Sequence, residues 1–294
     1  MSTTQPVIEA TSAEPSAVSA KSFQLRIDPP SGWQLVDVRE LWRYRELLAF
    51  LVWRDVKVRY TQAVLGVAWA VLQPLVMMIV FSVFLGRMGG LSGGDIPYPL
   101  FVLSGLIAWM FFANAVSSAG GSVVGSERLI TKIYFPRLTV PFAAVGAATF
   151  DFLISLGLLG VLMAVYGHPP SWQIIFAPFV FLILLTAALG LGTLLAALTV
   201  SYSDFRFVTP FFIQVGMYAT PTIYMLLPTD PSDGLRVWMT VNPLVAPIAS
   251  FRACLLGGEM PWVPLAISAA LAVALFVVGC LYFRKVEDDF ADKI

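Results

Sequence analysis

Five stretches of this chain, each long enough to cross a lipid bilayer, contain no Lys, Arg, Asp or Glu, and a sixth contains only Asp151. About 20 consecutive apolar residues in a helix cover the roughly 30 Å of a bilayer's hydrocarbon core. In that solvent only helices and closed barrels satisfy their own backbone groups, and runs of this length and uniformity suit helices. The blocks predict an all-α integral membrane protein with six transmembrane helices, at about 63–86, 98–118, 138–166, 174–200, 207–227 and 262–283. Charged residues make up 12% of the chain, about half the share of a soluble domain, too few to coat a soluble globule.

A seventh apolar segment, VWMTVNPLVAPIASF at 237–251, lies between Arg236 and Arg252. It is too short to span and is broken by Asn242-Pro243 and Pro247. The expectation is an external re-entrant hairpin. With six spans both termini share a side. That side carries fifteen of the eighteen Lys and Arg; Arg87, Arg236 and Arg252 lie on the other. The positive-inside rule then makes both termini cytoplasmic. Residues 1–34, rich in Ser, Thr, Ala and Pro and without a secretory-signal pattern, read as a disordered cytoplasmic tail ahead of a membrane domain at 35–294. Cys254 and Cys280 fall on different faces of this topology, so no disulfide is expected.

Residues 37–60, DVRELWRYRELLAFLVWRDVKVRY, have helical periodicity. Val38, Leu41, Trp42, Leu48, Ala49, Val52 and Val56 recur on one side, with Arg39, Arg43, Glu46, Arg54 and Lys57 on the other. This predicts an amphipathic helix at the inner membrane interface. Arg54, Lys57 and Arg59 serve either as a topology anchor alone or also as a site for an anionic lipid head group or a partner protein. Between the second and third spans, SERLITKIYFPRL gives a short cytoplasmic helix at about 126–137. Glu127, Arg128 and Arg137 flank apolar Leu129, Ile130, Ile133, Tyr134 and Phe135. Two readings stand: docking into a groove on another protein, or lying on the membrane.

Within the spans, Gln214 and Tyr218 lie one turn apart on one face. A tyrosine at mid-depth needs a partner for its hydroxyl, and this pair is a candidate lining for a path that suits sugars. Trp69, Phe81, Phe84, Phe211, Phe212 and Tyr224 add aromatic surface in the first and fifth spans. Asp151 is a functional candidate by default, either in proton coupling or bonded to a neighbouring helix; no partner base is evident. Pro74, following Gln73, and Pro210 and Pro221 are sites where a helix can kink. No Gly precedes a Lys, so the chain has no P-loop, and its single His168 lies in a predicted external turn. No catalytic or metal-binding constellation emerges, and transport is favoured over enzymatic function.

Taken together, four segments are familiar as a set: LLAFLVWRDVKVRYTQAVLGVAWAVLQPL, YFPRLTVP, NPLVAPI and the ending FRKVEDDFADKI. Over residues 35–294 the chain resembles the permeases of ABC-2-type polysaccharide and polyol-phosphate exporters. The resemblance implies a homodimer in the bacterial inner membrane, paired with two separate ATP-binding cassette subunits that hold the ATP and Mg. Its cargo would be a glycan on an undecaprenyl-type lipid, such as O-antigen, capsule or teichoic acid; no nucleic acid is involved. Trp69, Phe81, Phe84, Phe211, Gln214, Tyr218 and Tyr224 would then line the conduit. Arg54, Lys57 and Arg59 would meet the lipid pyrophosphate. Glu127, Arg128, Ile130, Ile133, Tyr134, Phe135 and Arg137 would couple to the ATPase, and Asn242, Pro243 and Pro247 would form the external gate. Two alternatives share the sequence features: an ABC-2 exporter of small drugs or lipids, and a membrane enzyme acting on polyprenyl-phosphate lipids.

Overall fold

The computed structural model describes residues 42–61, 66–90, 94, 96–133, 135–223, 242–287 and 290. The expected tail at 1–34, Tyr134, Tyr224 and most of the linker into the expected hairpin lie outside these. The described residues form an all-helical unit. In chain order its helices are α1 (Arg45–Thr61), α2 (Ala68–Phe81), α3 (Tyr98–Gly125), α4 (Glu127–Ile130), α5 (Thr139–Val165), α6 (Ala177–Ser201), α7 (Phe205–Ala219), α8 (Val245–Leu256) and α9 (Trp262–Val286). Helix α2 continues as a π-helix over Ser82–Met88, and a 3-10 turn, Trp172–Phe176, leads into α6.

Among the described residues, five helices are long and apolar enough to cross a membrane: Ala68–Met88, Tyr98–Gly125, Thr139–Val165, Trp172–Ser201 and Trp262–Val286. The chain is thus a multi-pass membrane protein. The expected span at 207–227 takes a different form. Helix α7 has 15 residues and is about 22 Å long, short of the hydrocarbon core. It stops where Thr220 turns extended ahead of Pro221.

Helix α3 is the axis of the unit. Pro99 in its first turn starts it, and 78% of its most apolar stretch is buried. Helices α5 and α6 pack along it, and α9 packs on α6. Small residues set these distances, because lipid supplies no hydrophobic drive between helices and close van der Waals contact must do the work. A Cβ on Gly279 would sit 2.3 Å from the Gly190 carbonyl oxygen, and one on Gly190 would sit 2.5 Å from the Phe276 nitrogen. Aromatic rings fill the centre: Phe152 stacks on Phe181 at 4.5 Å and meets Phe111 at 5.4 Å and Phe251 at 5.6 Å.

Three expectations change. Helix α1 forms within the expected amphipathic segment, but its packed face is Tyr44, Leu47, Leu48, Leu51, Val52 and Val56, while Trp42 and Ala49 are exposed. Val52 meets Gly146 and Arg59 meets Asp151, so α1 climbs alongside α5 in the same direction. Helix α2 runs on through buried Pro74; the departure from α geometry comes at Ser82 instead. In the expected hairpin, the described part is a buried helix. Asn242 Oδ1 accepts from the Leu244 amide at 3.0 Å, opening α8, which carries Pro247 in its first turn and runs past residue 251 to Leu256. Arg252, expected at an outer boundary, is packed inside with its guanidinium 3.7 Å from the Phe101 ring centre.

Candidate functional site: a polar groove beside the buried helix

Two adjoining cavities run along one side of α3. The first, about 320 Å³, is lined by Arg59, Tyr60, Trp69, Gln73, Asn114, Ser117, Ser118 and Asp151, among others. The second, about 270 Å³, continues from Gln73, Asn114 and Ser117 to Trp109, Pro210, Gln214 and Met217 of α3 and α7. The side chains of Gln73, Asn114, Ser117, Ser118 and Gln214, all exposed or half-buried, make no hydrogen bond among the described residues. In hydrocarbon such groups cost free energy until water, protein or a ligand satisfies them. Asn114, Ser117 and Ser118 escape a reading by hydropathy because apolar neighbours surround them. Their i, i+3, i+4 spacing, which puts them on one helix face, is the available signal.

Asp151 has the partners that the sequence left undetermined. Arg59 Nη1 and the Tyr60 hydroxyl both donate to its carboxylate. Asp151 is the thirteenth of the 27 residues of α5, so this cluster sits at the helix's mid-length. The Tyr60 phenol acts here as a hydrogen-bond donor to the Asp151 carboxylate. Ser155, one turn on, donates to the Ala70 carbonyl at 3.3 Å, tying α5 to α2 at the cavity wall.

The structure divides the expected residues. Trp69 and Gln214 line the groove. Tyr218 is exposed on the same helix as Gln214, and Phe84 and Phe211 are exposed without lining either cavity. Phe81 packs against a cluster that includes Phe101 and Ile223. Arg59 faces the groove, whereas Arg54 pairs with Asp55 at 2.8 Å and Lys57 is exposed. At 100° per residue, position 59 cannot share the face of 54 and 57. The basic trio is therefore not one site.

The α3–α5 connection is likewise split. Ile130 and Phe135 are buried, at 8% and 4% exposure, in a cluster with Leu138, Val200, Phe283 and Phe290. They anchor the loop to its own chain and are not free to dock. Glu127, Arg128, Lys132 and Ile133 remain exposed. Arg137 donates to the Glu287 backbone carbonyl, and Phe283 meets Phe290 edge-on at 5.1 Å. Described residues of two segments quoted separately from the sequence, YFPRLTVP and FRKVEDDFADKI, thus pack together: Phe135 and Leu138 share a cluster with Phe283 and Phe290. At the opposite end of α5, a larger apolar cavity of about 830 Å³ is walled by Leu156, Met163, His168, Phe181 and Phe251. It offers few polar contacts.

Comparison with known proteins supplies the family. The chain is 32% identical over 263 residues to the O-antigen export system permease protein RfbA of Myxococcus xanthus, covering 87% of this chain and 98% of that protein. It is 27% identical to the protein of the same name from Klebsiella pneumoniae, over 84% of this chain and 94% of the relative. It is 22% identical to the polysialic acid transport protein KpsM of Escherichia coli, over 80% and 91% respectively. Residues 46–256, which hold every residue of the groove and, except for Arg45, all of α1 to α8, match the family described as ABC-2 type transporter; the chain belongs to that family.

Proposed function

We propose that this chain is the membrane permease subunit of an ATP-driven exporter that moves a lipid-linked polysaccharide out across the bacterial inner membrane. Two copies form the conduit, and two separate ATP-binding subunits drive it. One observation carries the reading: amide and hydroxyl side chains without protein partners among the described residues line a groove walled mainly by helices long enough to span the bilayer. Lipid chains cannot satisfy them, whereas a polyhydroxylated polymer and its water can. Exposed Trp69 and Tyr218 add aromatic faces beside that groove. The names of the relatives, which specify O-antigen and polysialic acid, support a cell-envelope glycan as cargo.

In this reading the end where the α3–α5 loop packs against Phe283 and Phe290 is cytoplasmic, a placement that the excess of Lys and Arg supports. Exposed Glu127, Arg128, Lys132 and Ile133 form the contact with the ATPase, and Ile130 and Phe135 hold that surface rigid. Helix α1 starts at that end and climbs alongside α5, with Trp42, Phe50 and Trp53 turned outward. Asn242, through its 3.1 Å bond to Thr220 Oγ1, joins the end of α7 to the start of α8 at the external gate, beside Pro243 and Pro247.

Deleting the gene and profiling envelope glycans tests the proposal. Loss of surface glycan with lipid-linked glycan trapped in the cytoplasm is expected. A normal glycan profile would overturn it in favour of a small-molecule or lipid cargo.

A further inference from the structure

We infer that the mid-length cavity of each chain is a sugar-binding subsite, in which the Arg59–Asp151 pair, Tyr60, Trp69 and Asn114 hold one ring of the cargo. The inference rests on the export reading and assigns a different job to Arg59, which the sequence alone grouped with a phosphate-binding cluster.

The chemistry of the lining decides the ligand class. Arg59 meets Asp151 directly, so the pair is close to neutral. An incoming phosphate would face the carboxylate at short range, where like charges repel strongly in a poorly hydrated site. A sugar hydroxyl both donates and accepts. It can donate a hydrogen bond to Asp151 while accepting one from Arg59, and an amide such as Asn114 offers the same pair of functions. The half-exposed indole of Trp69 forms one wall, an apolar face suited to the C–H surface of a sugar ring. The cavity, about 320 Å³, lies at the lower end of small-molecule sites, about 300–1,000 Å³, and suits one ring rather than a chain.

A purely structural clasp between α1 and α5 would account for the ion pair. It would not account for the unpartnered Gln73, Asn114, Ser117 and Ser118 around it, or for an indole turned toward them. The pair is not sealed in the core, with side-chain exposure of 35% for Arg59 and 17% for Asp151, so it stands open to the polar cavity, and that placement points to use by a ligand.

The test is photocrosslinking of the full-length chain with its ATPase in cells that make the glycan. Benzoylphenylalanine replaces Trp69 or, separately, Asn114. Phe84 reports the conduit face, and Val165, at the far end of α5, is the control. The readout is a periodate-sensitive mass increase on the chain. Adducts are expected at 69 and 114 and not at 165. In the position-69 variant, Asp151→Asn should lower the adduct per folded chain about tenfold, the scale of one lost charge-assisted hydrogen bond. Adducts at 84 but none at 69 or 114 would overturn the subsite and leave the export reading standing. Adduct yield unchanged by Asp151→Asn, with only the amount of folded chain reduced, would reduce the pair to a clasp. No adduct anywhere, with a normal envelope glycan in the deletion strain, would overturn the export reading and the subsite with it.

Discussion

Helices α2 and α3 are neighbours, both apolar and without a charged residue, yet they have opposite fates. Among described residues, 78% of the most apolar stretch of α3 is buried, against 11% for the span Ala68–Met88 that contains α2. In water such a difference would appear as amphipathicity. In a bilayer both surfaces are apolar, because lipid tails and protein core are equally good surroundings for Leu or Val. Helix class therefore says little about which face packs. Small residues at the crossings and polar residues along the groove carry that information.

Four measurements break or sharpen this contrast. The largest effect is expected at the α6–α9 crossing. Gly279→Leu drives a side chain into the Gly190 carbonyl and Thr193 and should cost above about 3 kcal/mol, read as loss of a monodisperse peak in detergent. The same change at Gly157, where a Cβ meets nothing within 4 Å, should leave the peak intact. Next, Phe290→Ala removes a fully buried ring from the packed tail. A cost of about 3 kcal/mol, at the low end for Phe→Ala, would be seen as faster tryptic cleavage after Lys285.

The two smaller effects separate function from folding. Ile133→Glu changes an exposed side chain, so stability should move by less than about 0.5 kcal/mol. Export should fall more than tenfold and ATPase co-purification should be lost; normal export would remove this loop from the coupling surface. Gln214→Leu takes one polar group from the groove. Folded yield should hold and export should drop about threefold, equivalent to about 0.7 kcal/mol. An equal loss of folded yield would make Gln214 a packing residue.

Legibility from sequence followed the range of the interactions. The long charge-free runs revealed the spans because helix length and bilayer thickness are local facts. The α3–α5 loop was recognisable as amphipathic, but amphipathicity does not say what covers the apolar face. Ile130 and Phe135 turn toward Phe283 and Phe290 of their own chain, leaving Ile133 outward. The 207–227 block had the composition of a span, but the described helix ends at Ala219.

The site divides the same way. Asp151 stood out as a carboxylate in an apolar run, since its cost there does not depend on context. Its partners did not, because Arg59 and Tyr60 lie more than ninety residues earlier and seemed to belong with Arg54 and Lys57. Asn114 and the serines beside it were hidden by their apolar neighbours.

By itself, then, the sequence determined a helical membrane protein of several spans, a basic side, and four segments that place it among the exporter permeases. These follow from hydropathy, charge count and short motifs, each read within a few residues. Only the tertiary structure decided that Arg59 meets Asp151, that Phe135 of the loop packs in one cluster with Phe283 and Phe290, and that α2 and α7 border a polar groove along α3. Those outcomes depend on which helix faces meet, and in an apolar solvent a uniformly apolar sequence leaves that choice to side-chain shape and to the few polar groups that must find partners.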